Sequence, residues 1–196
     1  MNPANAITLL SAASALAGIL TLVVSHSPVA SAVASTCVAA SLVFDLLDGA
    51  VARRLGLTSP MGARLDSLAD LLAFGALPAA LITARAPRVA VAVAAILYAL
   101  GAVWRLARYD EDELTDTPAG QYFKGVPSPA AGAAVVVAVS LDALLRAGGA
   151  EVAAALAMAA LMPSTVRYPK RGVGAWPWMV LVPAGLALQW WRVIVG

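Results

Sequence analysis

Cysteine and histidine are almost missing: Cys37 and His26 are the only ones in 196 residues. One cysteine excludes an intrachain disulfide framework, and its apolar surroundings suit a small packed side chain. A lone histidine in a short turn leaves no nitrogen and sulfur ligand set of the kind that holds structural zinc. Charge is scarce as well, with 12% Asp, Glu, Lys and Arg against about 25% in an ordinary soluble domain. No basic block exists and the formal net charge is only +2, so nothing points to nucleic acid. What fills the chain is apolar: 61% of residues are hydrophobic and the mean hydropathy is +0.84. A soluble protein of this length has no interior large enough for so much apolar surface.

The expected fold is therefore an all-α, polytopic transmembrane helical bundle, forming a single integral membrane domain over residues 1–196. Apolar runs near 5–25, 29–54, 62–84, 88–108, 127–147, 150–166 and 176–194 predict six to seven spans, each near the roughly 20 residues a bilayer demands. The sixth is short and the seventh contains Pro183. Ser27-Pro28, Ser59-Pro60, Ala86-Pro87, Pro127-Ser128-Pro129 and Gly148-Gly149 punctuate the runs. The opening MNPANAITLL lacks a basic leader and reads as the start of a first span rather than a cleaved signal.

With the N-terminus in the cytoplasm, Arg53, Arg54, Arg64, Arg105, Arg108, Lys124, Arg167, Lys170 and Arg171 fall on the cytoplasmic side, and Arg85, Arg88, Arg146 and Arg192 on the other. That asymmetry obeys the positive-inside rule. Trp176, Trp178, Trp190 and Trp191 bracket the last run as interfacial anchors. The polar stretch Tyr109 to Lys124, with Asp110, Glu111, Asp112, Glu113 and Asp116, reads as a solvated cytoplasmic loop.

Four of the 11 acidic residues stand where a membrane protein tolerates them least: Asp45, Asp48, Asp66 and Asp70. A carboxylate at the centre of a span costs about 2.5–3.5 kcal/mol on insertion scales. Each pair, at i,i+3 and i,i+4, shares one helix face. Thr58-Ser59-Pro60 between them turns the chain back, so that two antiparallel helices bring four carboxylates together near the cytoplasmic boundary. Divalent cations would remove their repulsion, and an oxygen-only donor set favours Mg2+ or Mn2+ over zinc. Such ions are often completed by substrate phosphates, which suggests a pyrophosphate-containing substrate. Gly49 and Ala52 keep the same face open, and Arg53 supplies a cation. The alternative is a set of buried acids neutralised by Arg53, Arg54 and Arg64.

These residues also carry a resemblance. Asp45-Leu-Leu-Asp48-Gly49-Ala-Val-Ala52-Arg53, eight residues, then Gly62-Ala-Arg-Leu-Asp66-Ser-Leu-Ala-Asp70 is similar at every fixed position to the signature of the CDP-alcohol phosphotransferase family. The resemblance implies that Asp45, Asp48, Asp66 and Asp70 hold the metal ions. It also implies that Gly49, Ala52, Arg53 and Gly62 line the CDP site beside the first aspartates, and that Asp70 is the general base for the acceptor hydroxyl. Asn5 and Thr8 resemble the family's P-N-x-x-T segment, with Ala4 intervening after Pro3.

Three flanking blocks look like the phosphatidylserine synthase subgroup: Asp66-Ser-Leu-Ala-Asp70 through Phe74-Gly75 and Pro78, Arg105-Leu-Ala-Arg108-Tyr109, and Phe123-Lys124-Gly125-Val126-Pro127-Ser128-Pro129-Ala130. A fourth, Ser164 to Lys170, is similar to a segment closing a later helix. The resemblance implies CDP-diacylglycerol and serine as substrates, a homodimer in the cell membrane and a site facing the cytoplasm. Arg105, Arg108 and Lys124 are candidates for the acceptor or its phosphate. Inositol phosphate or glycerol phosphate is the alternative acceptor. An ion-coupled transporter would need its acids strung across the bilayer, whereas these four cluster.

Overall fold

The computed structural model describes residues 2–85, 88–109, 115–117, 120–145, 149–169 and 176–195. Seven helices run through them: α1 Pro3–Val24, α2 Pro28–Leu55, α3 Pro60–Arg85, α4 Val89–Tyr109, α5 Ser128–Leu145, α6 Ala150–Leu161 and α7 Trp176–Val195. Six are long and apolar enough to cross a membrane. The chain is an integral membrane protein with a helical bundle.

Local chemistry sets the helix starts. Asn2, Ser27 and Ser59 each accept a backbone N–H of the first turn. Each precedes a proline at the first helical position, where a missing N–H costs nothing. The helices pack through small residues. A β-carbon at Gly18 of α1 would lie 3.0 Å from that of Cys37 on α2 and 2.9 Å from a methyl of Leu77 on α3. Close approach of this kind holds helices where lipid removes the hydrophobic drive between them. Across the same contact Ser14 Oγ donates to Cys37 O and Ser41 Oγ to Ser11 O.

The sixth predicted span, 150–166, ends early. α6 stops at Leu161, because Pro163 cannot continue the helix and the Ser164 hydroxyl turns back to Leu161 O. Its 12 residues reach about 18 Å, short of the roughly 30 Å hydrocarbon layer. The polar stretch read as a loop contributes two strands. β1 Thr115–Thr117, β2 Gly120–Lys124 and β3 Arg167–Pro169 form an antiparallel sheet in the order β1-β2-β3. β2 pairs with β3 through Tyr122↔Pro169, Phe123↔Tyr168 and Lys124↔Arg167, joining the α4–α5 connection to the α6–α7 connection. Asp110 to Glu113, Arg146, Lys170 and Arg171 lie outside the described residues, as does the side chain of Trp176. Two of the tryptophans are more than interfacial anchors: Trp178 donates to the Tyr168 hydroxyl, and Trp190 to Thr36 Oγ1 on α2. Trp191 is exposed, as an anchor would be.

The bundle has a near end, with the N-termini of α1, α3 and α5, and a far end. At the far end the sequence reading overlooked two buried acids. Asp142 and Glu151 are 5% and 4% exposed. Asp142 Oδ2 accepts the N–H groups of Gly149 and Glu151, and Glu151 meets Arg85 at 3.4 Å. This group caps the start of α6, a structural use of acids that spacing alone did not reveal.

Gly125, which follows β2, has φ of +78°, and a β-carbon there would run into Met162 O. Gly125→Ala combines left-handed strain with a clash against backbone. It is expected to cost more than about 2 kcal/mol, read as a clear fall in the unfolding midpoint in detergent; an unchanged midpoint contradicts this packing.

Candidate active site

At the near end three helix termini converge. α1 and α3 arrive by their N-termini, whose unpaired N–H groups and dipoles favour anions. α2 arrives by its C-terminal turns, which carry Asp45 and Asp48. The carboxylates of Asp45, Asp48 and Asp66 place oxygens within 4.8 Å of one another. Among the described residues no ion pair joins Arg53, Arg54 or Arg64 to the four aspartates; the pair found is Arg85 with Glu151 at the far end. Arg53 acts on Asp45 and Asp48 from beyond ion-pair distance. A cluster of carboxylate oxygens without a paired cation is the donor set a hard divalent ion requires, so these residues fit one.

Asp48 is buried and fixed. Thr8 Oγ1 of α1 donates to its Oδ2 at 2.7 Å, while the same hydroxyl lies 3.1 Å from Ala4 O. Thr8 thus holds a carboxylate of α2 from across the helix interface, leaving the other oxygen for the cluster. Asp70, one turn beyond Asp66 on α3, is outside the tight three-acid group. It lies within electrostatic range of Asp45 and Asp66, and of Arg105 on α4.

Beside the cluster is a cavity of about 200 Å3, lined by Ala4, Asn5 and Thr8 of α1, by Asp48, Gly49, Ala52 and Arg53 of α2, by Leu57, Thr58 and Ser59 of the turn, and by Gly62, Ala63 and Asp66 of α3. The structure thus gathers Asn5, Thr8, Asp48, Gly49, Ala52, Arg53, Gly62 and Asp66 around one cavity. Asp45 belongs to the adjoining carboxylate group. The inserted Ala4 does not displace Asn5, because Ala4 itself faces the cavity. Two glycines make the space. A β-carbon on Gly49 would sit 3.2 Å from the Arg53 guanidinium folded over it, and one on Gly62 would lie 3.3 Å from Asn5 Oδ1. Ser59, Thr58 and Leu57 were read only as a turn; the Ser-Pro helix start was the signal that they border the site.

The three acceptor candidates separate. Arg105 is buried, and its Nε donates to Val126 O at 2.8 Å. Arg108 Nη1 donates to Pro163 O at 3.1 Å. Both therefore fasten connections at the near end, and Arg105 is within electrostatic range of Asp70. Lys124 is exposed at the end of β2.

Residues 1–195 match the CDP-alcohol phosphatidyltransferase family, and the chain belongs to it. Among proteins of known role, it is similar to the CDP-diacylglycerol–serine O-phosphatidyltransferase of Helicobacter pylori (strain ATCC 700392 / 26695), 38% identical over 67% of this chain and 58% of the relative. Enzymes of the same name are similar in Methanocaldococcus jannaschii, 35% identical over 66% of this chain and 60% of the relative, and in Mycobacterium leprae, 37% identical over 63% and 42%. The chain thus spans about half the length of these relatives.

Thr8→Val should leave the helices packed but release Asp48, weakening Mn2+ binding about tenfold, the scale of a hydrogen bond to a charged group. Thr8→Ser should restore it. Electron paramagnetic resonance titration of Mn2+ measures this, and equal affinities in all three proteins would remove Thr8 from the site.

Proposed function

We propose that the chain is a phosphatidylserine synthase, moving the phosphatidyl group of CDP-diacylglycerol to the hydroxyl of serine with release of CMP. The observation that carries this is the carboxylate group of Asp45, Asp48 and Asp66 beside a cavity bordered by two helix N-termini. The names of the similar enzymes and the Asp66-Ser-Leu-Ala-Asp70 block support serine as the acceptor. Mg2+ or Mn2+ is the proposed cofactor, held by Asp45, Asp48, Asp66 and Asp70. When bound, such an ion neutralises pyrophosphate charge and stabilises the departing CMP.

The chain's own residues do the rest. Asn5, Gly49, Ala52 and Gly62 bound the nucleotide diphosphate, with Arg53 over Gly49 as the cation for a phosphate oxygen. Asp70 accepts the proton of the serine hydroxyl. The serine oxygen forms a bond to the lipid-side phosphorus, and the bond from that phosphorus to the CMP oxygen breaks, leaving its electron pair on CMP. Arg105, within electrostatic range of Asp70, would receive the serine carboxylate, with Arg108 and Lys124 as further candidates. The whole chain would act as one membrane domain and pair as a homodimer. Its N-terminus and site would face the cytoplasm at the cell membrane.

Purified protein with CDP-diacylglycerol, Mn2+ and a panel of serine, inositol phosphate and glycerol phosphate should release CMP with serine. Release only with another panel member would reassign the acceptor. Asp70→Asn should lower turnover about 10²–10⁴-fold while CDP binding persists; retained turnover would remove Asp70 from the base role.

A further inference from the structure

α3 is not a continuous α-helix. Immediately after Asp70, residues Leu71–Ala76 form a π-helical segment, in which the Leu77 N–H reaches back five residues to Leu72 O. A π turn takes in about one extra residue, which offsets the two halves of a helix by about 100° relative to an uninterrupted one. The later half is anchored: Leu77, Leu81 and Ile82 are fully buried, and Leu77 is wedged at Gly18 of α1. With that half fixed, loss of the π turn would swing Asp66 and Asp70 around the α3 axis, away from Asp45 and Asp48 on α2. The wide turn therefore sets the direction in which the α3 acids point.

Such a turn is weaker than a regular one and persists only where neighbours support it. α4 supplies the support. Tyr98, 0% exposed, donates its hydroxyl to Phe74 O inside the π segment at 2.6 Å. One helical turn further on, Ala102 lies against Gly75, where a β-carbon would stand 3.3 Å from that of Ala102 and 3.0 Å from Leu71 Cδ1. On the opposite side the Phe74 ring fills the space over Gly132 of α5. A buried phenol in a span must find an acceptor, and this one finds a carbonyl of the distorted turn.

We infer that Tyr98 is a positioning residue, latching the π turn of α3 and thereby aiming Asp66 and Asp70 at the metal group; this rests on the metal-binding reading of the aspartates. The test is Mn2+ titration by electron paramagnetic resonance on the full chain in detergent, comparing wild type with Tyr98→Phe, Gly75→Ala, Asp48→Ala and Ser140→Ala. Ser140, hydrogen-bonded to Gln189 and to Val136 O, serves as a control for destabilisation away from the site. Tyr98→Phe keeps the ring and loses only the latch. It should raise half-saturating Mn2+ at least about fivefold, with CMP release recovering at saturating Mn2+, while Ser140→Ala binds like wild type. Gly75→Ala, which crowds the same turn from outside, should shift binding in the same direction and decides the matter if Tyr98→Phe does not fold. Wild-type affinity in Tyr98→Phe, or in Gly75→Ala where that variant decides, overturns the inference. Equal Mn2+ binding by wild type and Asp48→Ala would instead fail the metal reading beneath it, and the inference with it.

Discussion

Crowding of like charge governs this protein. Carboxylates of Asp45, Asp48 and Asp66 stand within 4.8 Å, inside helices whose other faces are apolar. Unit charges at such spacing repel by several kcal/mol at the effective dielectric of a protein boundary, and no basic side chain among the described residues pairs with these three within ion-pair distance. An arrangement so costly persists only where the surrounding packing imposes it. That packing is visible in the small-residue contact of α1 with α2, in Thr8 gripping Asp48, and in the turn through Ser59 that returns α3 alongside. The capped N-termini of α1 and α3 add favourable potential for anions at the same place, so the pocket suits a ligand that brings phosphate and cation together.

The four aspartates were legible in the sequence because helical geometry turns their spacing directly into shared faces, and because apolar spans make any acid conspicuous. The cavity wall was legible in part: Gly49, Ala52, Arg53 and Gly62 came with the signature, while Asn5 and Thr8 required an approximate match. That Thr8 would reach Asp48, forty residues away, could not be read, since it depends on how closely α1 and α2 approach. The π turn was equally hidden. Leu71–Ala76 has the composition of any apolar helix, and its geometry follows from Tyr98 and Gly132 on other helices. The small sheet escaped because strands of three to five residues are too short for a periodicity, and β3 pairs with a segment far earlier in the chain.

Acids at the far end show why composition alone misassigns them. Asp142 and Glu151 are as buried as Asp48, yet Asp142 Oδ2 is spent on the N–H groups that open α6 and Glu151 Oε1 on Arg85. At the near end Asp48 accepts the Thr8 hydroxyl, but among the described residues no cation stands within ion-pair distance of Asp45, Asp48 or Asp66. What separates the two groups is a matched cation within ion-pair distance, not depth or charge.

The strand pairing between β2 and β3 has a mechanical meaning. Because the stretch before α5 and the stretch after α6 share hydrogen bonds, neither can swing outward alone. Arg105 and Arg108 fasten the same region to α4. The two connections and the end of α4 therefore move as one body, and any opening at that end displaces all three together.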